Sequence, residues 1–152
     1  MEVRDTMSLS VSGEFEIEAA PEQVMRALVD VERIPEWSAV HKEVIVESRF
    51  EDGRPRTVRM TLSVLGVSDT QLAEHKWIDD EQMSWVLVES DKQRSQEGEY
   101  RLTPTSRGTS VRVTMSVDPK IRLPQAVLRQ GQKQAIRTIR KGLTKFVVDN
   151  YV

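Results

Sequence analysis

The stretch LPQAVLRQGQKQAIRTIRKGLTKFVVD, Leu123 to Asp149, decides how the rest of the chain is arranged. Apolar or small residues recur at Leu128, Gly131, Ala135, Ile139, Gly142 and Phe146, in the steps of three and four that mark a helix. A second row, Ile136, Leu143 and Val147, widens the stripe enough to lie across a sheet instead of forming a coiled-coil seam. The opposite face is basic: Arg129, Lys133, Arg137, Arg140, Lys141 and Lys145. Pro124 suits the first helical turn, where its missing N–H costs nothing, and the late lysines and arginines suit the negative end of the helix dipole. The spacing predicts one closing helix of about seven turns, at 3.6 residues per turn.

Everything before it alternates. Ser8 to Glu18 sets Leu9, Val11, Phe15 and Ile17 against serines and glutamates, a strand with one solvated face in which Gly13 suggests a bulge. Ala20-Pro21 breaks it, and Pro21-Glu22-Gln23 opens a short helix with Val24, Met25, Leu28 and Val29 inward. Pro35 prevents simple continuation, so Glu32 to Trp37 reads as a turn and a second short helix anchored by Trp37. Six strand-like runs follow: His41–Phe50, Thr57–Leu65, Asp69–Ile78, Met83–Glu89, Gln96–Thr103 and a last run through Val111, Val113, Met115 and Val117 that stops at Asp118-Pro119. In the second of these, Val58, Met60, Leu62 and Val64 alternate strictly with Thr57, Arg59, Thr61 and Ser63. Successive short-looped strands predict an antiparallel sheet, and the closing helix must lay its stripe on one face of it, giving an α+β domain. A strongly curved sheet gripping a helix leaves a concavity that side chains of ordinary size do not fill.

Composition narrows the function. The 152 residues fit one domain, assigned to 8–152 behind a loose tail at 1–7, and a chain of that length buries about 68–70 % of its unfolded surface. Net charge is −2, although Arg122 to Lys145 carries seven positive residues and no acidic one. The absence of cysteine excludes disulfides, thiolate metal sites and cysteine catalysis. No run approaches the ~18 apolar residues of a membrane span, and a cytoplasmic protein is expected.

The order of these elements, with Ala20-Pro21-Glu22-Gln23-Val24 in the first helix and Ile34-Pro35-Glu36-Trp37 after it, resembles the START/Bet v 1-like superfamily. The resemblance is greatest to its bacterial polyketide cyclase/dehydrase and coenzyme-Q-binding-like branch. Gly98-Glu99-Tyr100-Arg101-Leu102-Thr103-Pro104, Gly108-Thr109-Ser110-Val111, Val117-Asp118-Pro119 and Leu123-Pro124 are further matches, so that the likeness runs from about Ser8 to Val148. It implies the helix-grip fold: a seven-stranded antiparallel sheet wrapped around a long C-terminal helix, with two short helices after the first strand and a cavity between sheet and helix. It also implies carriage of a lipid, isoprenoid quinone or polyketide, or in a minority of members cyclase or hydrolase activity.

Catalytic signatures are thin. His41 and His75 are the only histidines; with Glu74 or Glu43 they could form a two-histidine, one-carboxylate site, but scattered histidines in strands are ordinarily surface residues, and neither metal nor cofactor is expected. G-x-S-x-G, Walker A and G-x-G-x-x-G are absent. A cyclase needs one acid or base in its cavity, and His75, Glu74, Tyr100 and Arg112 are the candidates. Strand phase decides among them: Leu72 and Glu74 share one face, Ala73, His75 and Trp77 the other, and surface exposure is the expected fate.

The apolar set says more. Trp37, Val44, Val46, Val58, Met60, Leu62, Trp85, Leu87, Tyr100, Leu102, Val113 and Met115 would face Leu128, Gly131, Ala135, Ile139 and Phe146 across the grip. Small residues at Gly131, Ala135 and Gly142 either leave room for a ligand or let helix and sheet close together; glycine inside a helix costs about 1 kcal/mol against alanine. The favoured reading is a binding protein for a hydrophobic small molecule, lipid, quinone or polyketide-like. A cyclase or dehydratase-like lyase using the same cavity is the alternative, and an interaction module with a filled core is a third. The basic helix face suits an anionic membrane or an acidic carrier protein, while nucleic acid is disfavoured by the acidic remainder and the few aromatics. The chain is read as a monomer or homodimer.

Overall fold

The computed structural model describes residues 9–152 except Leu65; the predicted tail at 1–7 lies outside the described residues. Seven strands run β1 (Leu9–Ile17), β2 (His41–Arg49), β3 (Pro55–Val64), β4 (Val67–Ile78), β5 (Gln82–Ser90), β6 (Gln93–Pro104) and β7 (Thr109–Pro119). They form one antiparallel sheet in the order β1-β7-β6-β5-β4-β3-β2. Helix α1 (Pro21–Val29) and a 3-10 turn (Val31–Glu36) follow β1, and α2 (Gln125–Tyr151) closes the chain. This is the α+β arrangement that the alternation and the closing stripe predict, and the helix-grip fold that the resemblance implies.

Local chemistry explains the boundaries. Pro21 opens α1, and the Gln23 side chain accepts a hydrogen bond from the Ala20 N–H at 2.8 Å, satisfying a donor the helix leaves free. Pro124 stands just before α2 as its N-cap rather than within its first turn. The helix runs on to Tyr151, so the dipole expectation fails: the last turn holds no basic residue, and Lys145 instead pairs with Asp149 at 2.6 Å. Gly53 and Gly66 take the turns at φ +92° and +79°, conformations a side chain resists.

Gly13 is not a bulge. β1 pairs with β7 without interruption from Leu9↔Val117 to Ile17↔Thr109. The glycine answers a close approach, since a Cβ there would lie 2.5 Å from Cγ2 of Ile136 on α2. The helix therefore rests on β1, and its other end packs on α1. Thr109, fully buried, donates its hydroxyl to the Ala19 carbonyl at 2.7 Å and ties β7 to the start of α1.

Two apolar clusters result. The larger joins α1 and the last turns of α2 to the inner faces of β1 and β5–β7, through Ile17, Met25, Leu28, Tyr100, Val111, Val113, Leu143, Phe146 and Val147. The smaller holds Val31, Val44 and Val58, with Ile34, Val46 and Met60 packed against it, beneath the 3-10 turn. Strand β4 lies between them.

Candidate functional site

Register fixes the concave face. Ala73 on β4 stands opposite Val58 on β3 and Leu87 on β5, both apolar, so Gln71, Ala73, His75 and Trp77 face inward while Leu72 and Glu74 face out. Glu74 is tied at 3.6 Å to Arg56 on the outer face, and Arg112 is exposed. Of the four acid–base candidates only His75 and Tyr100 point into the grip.

The expectation that the histidines sit on the surface is overturned. His75 is 2 % exposed, because alternation carries it inward with Ala73 and Trp77, and its Nδ1 has no partner among the described residues. His41, half-buried, shares a 2.7 Å hydrogen bond between its Nδ1 and the Ser38 hydroxyl. Burial without a compensating acid lowers both imidazoles to a pKa of about 4, so they are neutral near pH 7. The buried phenol of Tyr100 is pushed upward by the same desolvation and stays protonated. No group of three His, Asp or Glu side chains converges among the described residues, so the two-histidine, one-carboxylate site is not assembled.

His75, Trp85, Gly98 and Met115 are successive partners across β4, β5, β6 and β7. Gly98 has a role the sequence pattern did not single out: a Cβ there would collide with the ring of Trp85, so its absence lets the indole lie along the sheet. Tyr100 stands beside it with ring centroids 5.8 Å apart. His75 meets Trp77 edge to face at 5.9 Å, and the Trp77 indole N–H donates to the Pro55 carbonyl at 2.7 Å. The middle of the concave face is thus an aromatic floor with a neutral imidazole at its edge.

The candidate residues divide by place. Tyr100, Leu102 and Val113 are closed inside the larger cluster, with Trp37, Trp85 and Ile139 packed against it. Val44 and Val58 are buried in the smaller cluster beside Val46 and Met60. Met115 and Leu128 are buried outside both clusters, whereas Leu62, Leu87 and Ala135 remain half-exposed.

The two helix glycines are not equivalent. Gly131 is exposed, and a Cβ there would meet nothing within 4 Å. At Gly142 a Cβ would land on the backbone carbonyl of Trp37, with the indole 3.1 Å away, so this glycine admits the segment after the 3-10 turn. Gln132 is absent from the apolar set, yet a polar residue one turn from both Leu128 and Ile136 on an apolar stripe is a readable signal. It is 4 % exposed, and its amide nitrogen donates to the carbonyls of Leu9 at 2.7 Å and Met115 at 3.4 Å.

Two open recesses lie outside the grip, between β1 and the outer flank of α2. One is walled by Ser10, Ser12, Arg129, Lys133 and Arg137, the other by Phe15, Arg140, Lys141 and Val148. Among the described residues no ion pair engages Arg129, Lys133, Arg137, Arg140 or Lys141, although Arg137 donates to Gln134. Exposed Ile121 and Val127 lie at the same basic end of the helix. No helix of the described residues is long and apolar enough to cross a membrane.

No curated protein matches the chain. Among solved structures it resembles a START superfamily protein of Mycobacterium smegmatis at 22 % identity, covering 93 % of this chain and 97 % of that one with a TM-score of 0.83. A Thermus thermophilus protein is 25 % identical over 95 % of this chain and 100 % of its own, with a TM-score of 0.81. A Streptomyces aromatase/cyclase shares the fold at 13 % identity, 92 % and 93 % coverage and a TM-score of 0.77. The family model described as polyketide cyclase / dehydrase and lipid transport matches residues 8–148, and on that match over nearly its whole length the chain belongs to this family.

Proposed function

We propose that the protein binds a hydrophobic small molecule on the concave face of β2–β5, beneath the flank of α2 that carries Ala135 and Ile139. The observation that carries this reading is the separation of the two apolar clusters. Helix α2 rests on β1 and α1, so Val46, Met60, Leu62, Trp85 and Leu87 stay half-exposed on a face that a plain core would close. Covering such a surface with an apolar ligand supplies roughly 25 cal/mol per Å². The methionine at 60 suits an adaptable wall. Solvent extraction and mass spectrometry of the purified protein should find a co-purifying apolar compound, and Ala135→Trp should expel it; a protein that extracts clean and binds no apolar probe would defeat the reading.

A cyclase-type reaction in the same place is the second reading, and His75 favours it. A neutral, buried imidazole facing the ligand could take a proton from one carbon and return it to an oxygen. Activity lost in His75→Gln while ligand binding persists would support it.

The basic helix face supports contact with an anionic membrane over an acidic carrier protein. Ile121 and Val127, 64 % and 54 % exposed, lie with Lys120, Arg122 and Arg129 around the N-terminal end of α2, an exposed apolar pair at a basic end that suits insertion into a headgroup layer.

A further inference from the structure

Arg129, Lys133 and Arg137 follow one another four residues apart on α2, about 6 Å per step along the axis, so the three cations stand on one flank of the helix. They line a single recess of about 410 Å³ together with Ser10, Val11 and Ser12 of β1 and Ile136 of α2. Val11 and Ile136 are half-buried, whereas the cations and the two serines are exposed. Like charges at this spacing repel each other along a helix. A cleft of one sign with apolar walls also concentrates its field on whatever enters.

No carboxylate among the described residues lines the recess, and α2 holds no acid before Asp149. The outward row of β1 runs Ser10, Ser12, Glu14, Glu16, so hydroxyls and not acids share the recess with the cations. Glu14, the first acid of that row, stands opposite Arg112 on β7 and accepts from the Ser110 hydroxyl at 3.3 Å. The second recess, farther along the same helix, is built differently. It sets Glu16 and Asp149 beside Arg140, Lys141 and Lys145, and Lys145 is paired with Asp149. On the sheet, Arg49, Arg56, Arg59, Arg101 and Arg107 each reach a carboxylate at 2.6–3.6 Å. The first recess is thus a place where positive charge has been gathered and left without a counter-charge from the wall.

The donors specify the anion. Two guanidinium groups present planar forks that match phosphate oxygens, Lys133 adds a point charge, and the two hydroxyls can each donate once. A terminal phosphate brings three free oxygens and a charge of about −1.5 to −2 at pH 7. A phosphodiester or a carboxylate brings two free oxygens and a single charge, and answers fewer of these donors. We infer that the recess between β1 and α2 is a binding site for a terminal phosphate group, borne by a lipid headgroup or by a soluble phosphomonoester. The site lies outside the grip and is separate from the apolar one. It deepens the membrane contact proposed above, and its lipid source rests on that contact.

Calorimetric titration of the full chain at pH 7.5 and fixed ionic strength with glycerol 3-phosphate, dimethyl phosphate and acetate tests the site. The wild type should bind glycerol 3-phosphate about tenfold more tightly than either of the others. Lys133→Gln should weaken that binding about tenfold. Lys141→Gln, about two turns farther along the helix and in the second recess, removes the same charge and should leave it unchanged. Equal binding of the three anions, no binding of glycerol 3-phosphate, or equal losses in the two variants would overturn the site and show only a diffuse basic face. Co-sedimentation with vesicles of matched surface charge, containing phosphatidate or phosphatidylglycerol, separates the sources. A preference for phosphatidate that Lys133→Gln abolishes supports the site and assigns it to a lipid headgroup. Glycerol 3-phosphate binding with no such preference supports it and assigns it to a soluble phosphomonoester. Binding to both anionic vesicles alike, with no binding of glycerol 3-phosphate, would overturn the site while leaving the membrane contact standing.

Discussion

Replacing each helix glycine with alanine should move stability in opposite directions. Both positions lie inside α2, where glycine is about 1 kcal/mol worse than alanine, so propensity alone predicts the same gain twice. At Gly131 nothing stands within 4 Å of the new methyl, and Gly131→Ala should be stabilising by about 1 kcal/mol. At Gly142 the methyl meets the Trp37 carbonyl oxygen and has the carbonyl carbon 3.2 Å away. Backbone cannot swing aside as a side-chain end can, so overpacking costs near the upper end of about 1–3 kcal/mol. The net for Gly142→Ala is a loss of about 2 kcal/mol once the propensity gain of about 1 kcal/mol is subtracted. For a chain of this size, at about 2–4 °C per kcal/mol, Tm should rise by about 2–4 °C for the first variant and fall by about 4–8 °C for the second. Thermal unfolding followed by circular dichroism reads both. A Gly142→Ala protein as stable as Gly131→Ala would mean that the segment at Trp37 does not lie against the helix.

Acidification should weaken the fold through His75. Its pKa falls from about 6.5 unfolded to about 4 folded, so the native state binds fewer protons between those values and stability drops as pH falls from 6.5 to 4. The full difference is of order 3 kcal/mol at 1.36 kcal/mol per pH unit, and His75→Gln should remove about half of the fall in Tm across that window, His41 with the same lowered pKa supplying the rest; an unchanged profile would contradict the burial. Thr109→Val removes the hydroxyl bonded to the Ala19 carbonyl and should cost about 1–3 kcal/mol by urea unfolding, whereas a neutral result would show that the carbonyl finds another donor. Co-sedimentation with vesicles should require anionic lipid and fall when Lys133→Glu and Arg137→Glu are combined, with Ile121→Ser weakening it further; equal binding to neutral vesicles would refute the membrane contact.

The helix and the sheet were legible because their periods are clean. Leu128 to Phe146 repeats every three or four residues, and Val58 to Val64 alternates without a break. The phase of β4 was not legible, since each of its faces mixes apolar and polar residues. What settles it is the pairing of Ala73 with Val58 and Leu87, and register between strands is not written in either strand alone. The glycines show the same limit: Gly131 and Gly142 look alike in the pattern, yet one faces open space and the other a backbone carbonyl. Gly13 invited a bulge, and only the position of Ile136 across the grip explains it. Gln132 is the polar exception on an apolar stripe, and such an exception marks a buried group that needs partners.

Methyl NMR of the methionine, isoleucine and valine side chains during titration with 2-naphthol tests most directly whether an apolar ligand enters the grip. Met60 and Met115 lie on the concave face, while Met25 is sealed beneath α1 at 1 % exposure. Binding in the grip should shift the Met60 and Met115 methyl resonances in saturable fashion and leave Met25 in place. Shifts confined to Val11, Ile136 and Val148, along the outer grooves of α2, with the methionine methyls unmoved, would place the ligand elsewhere.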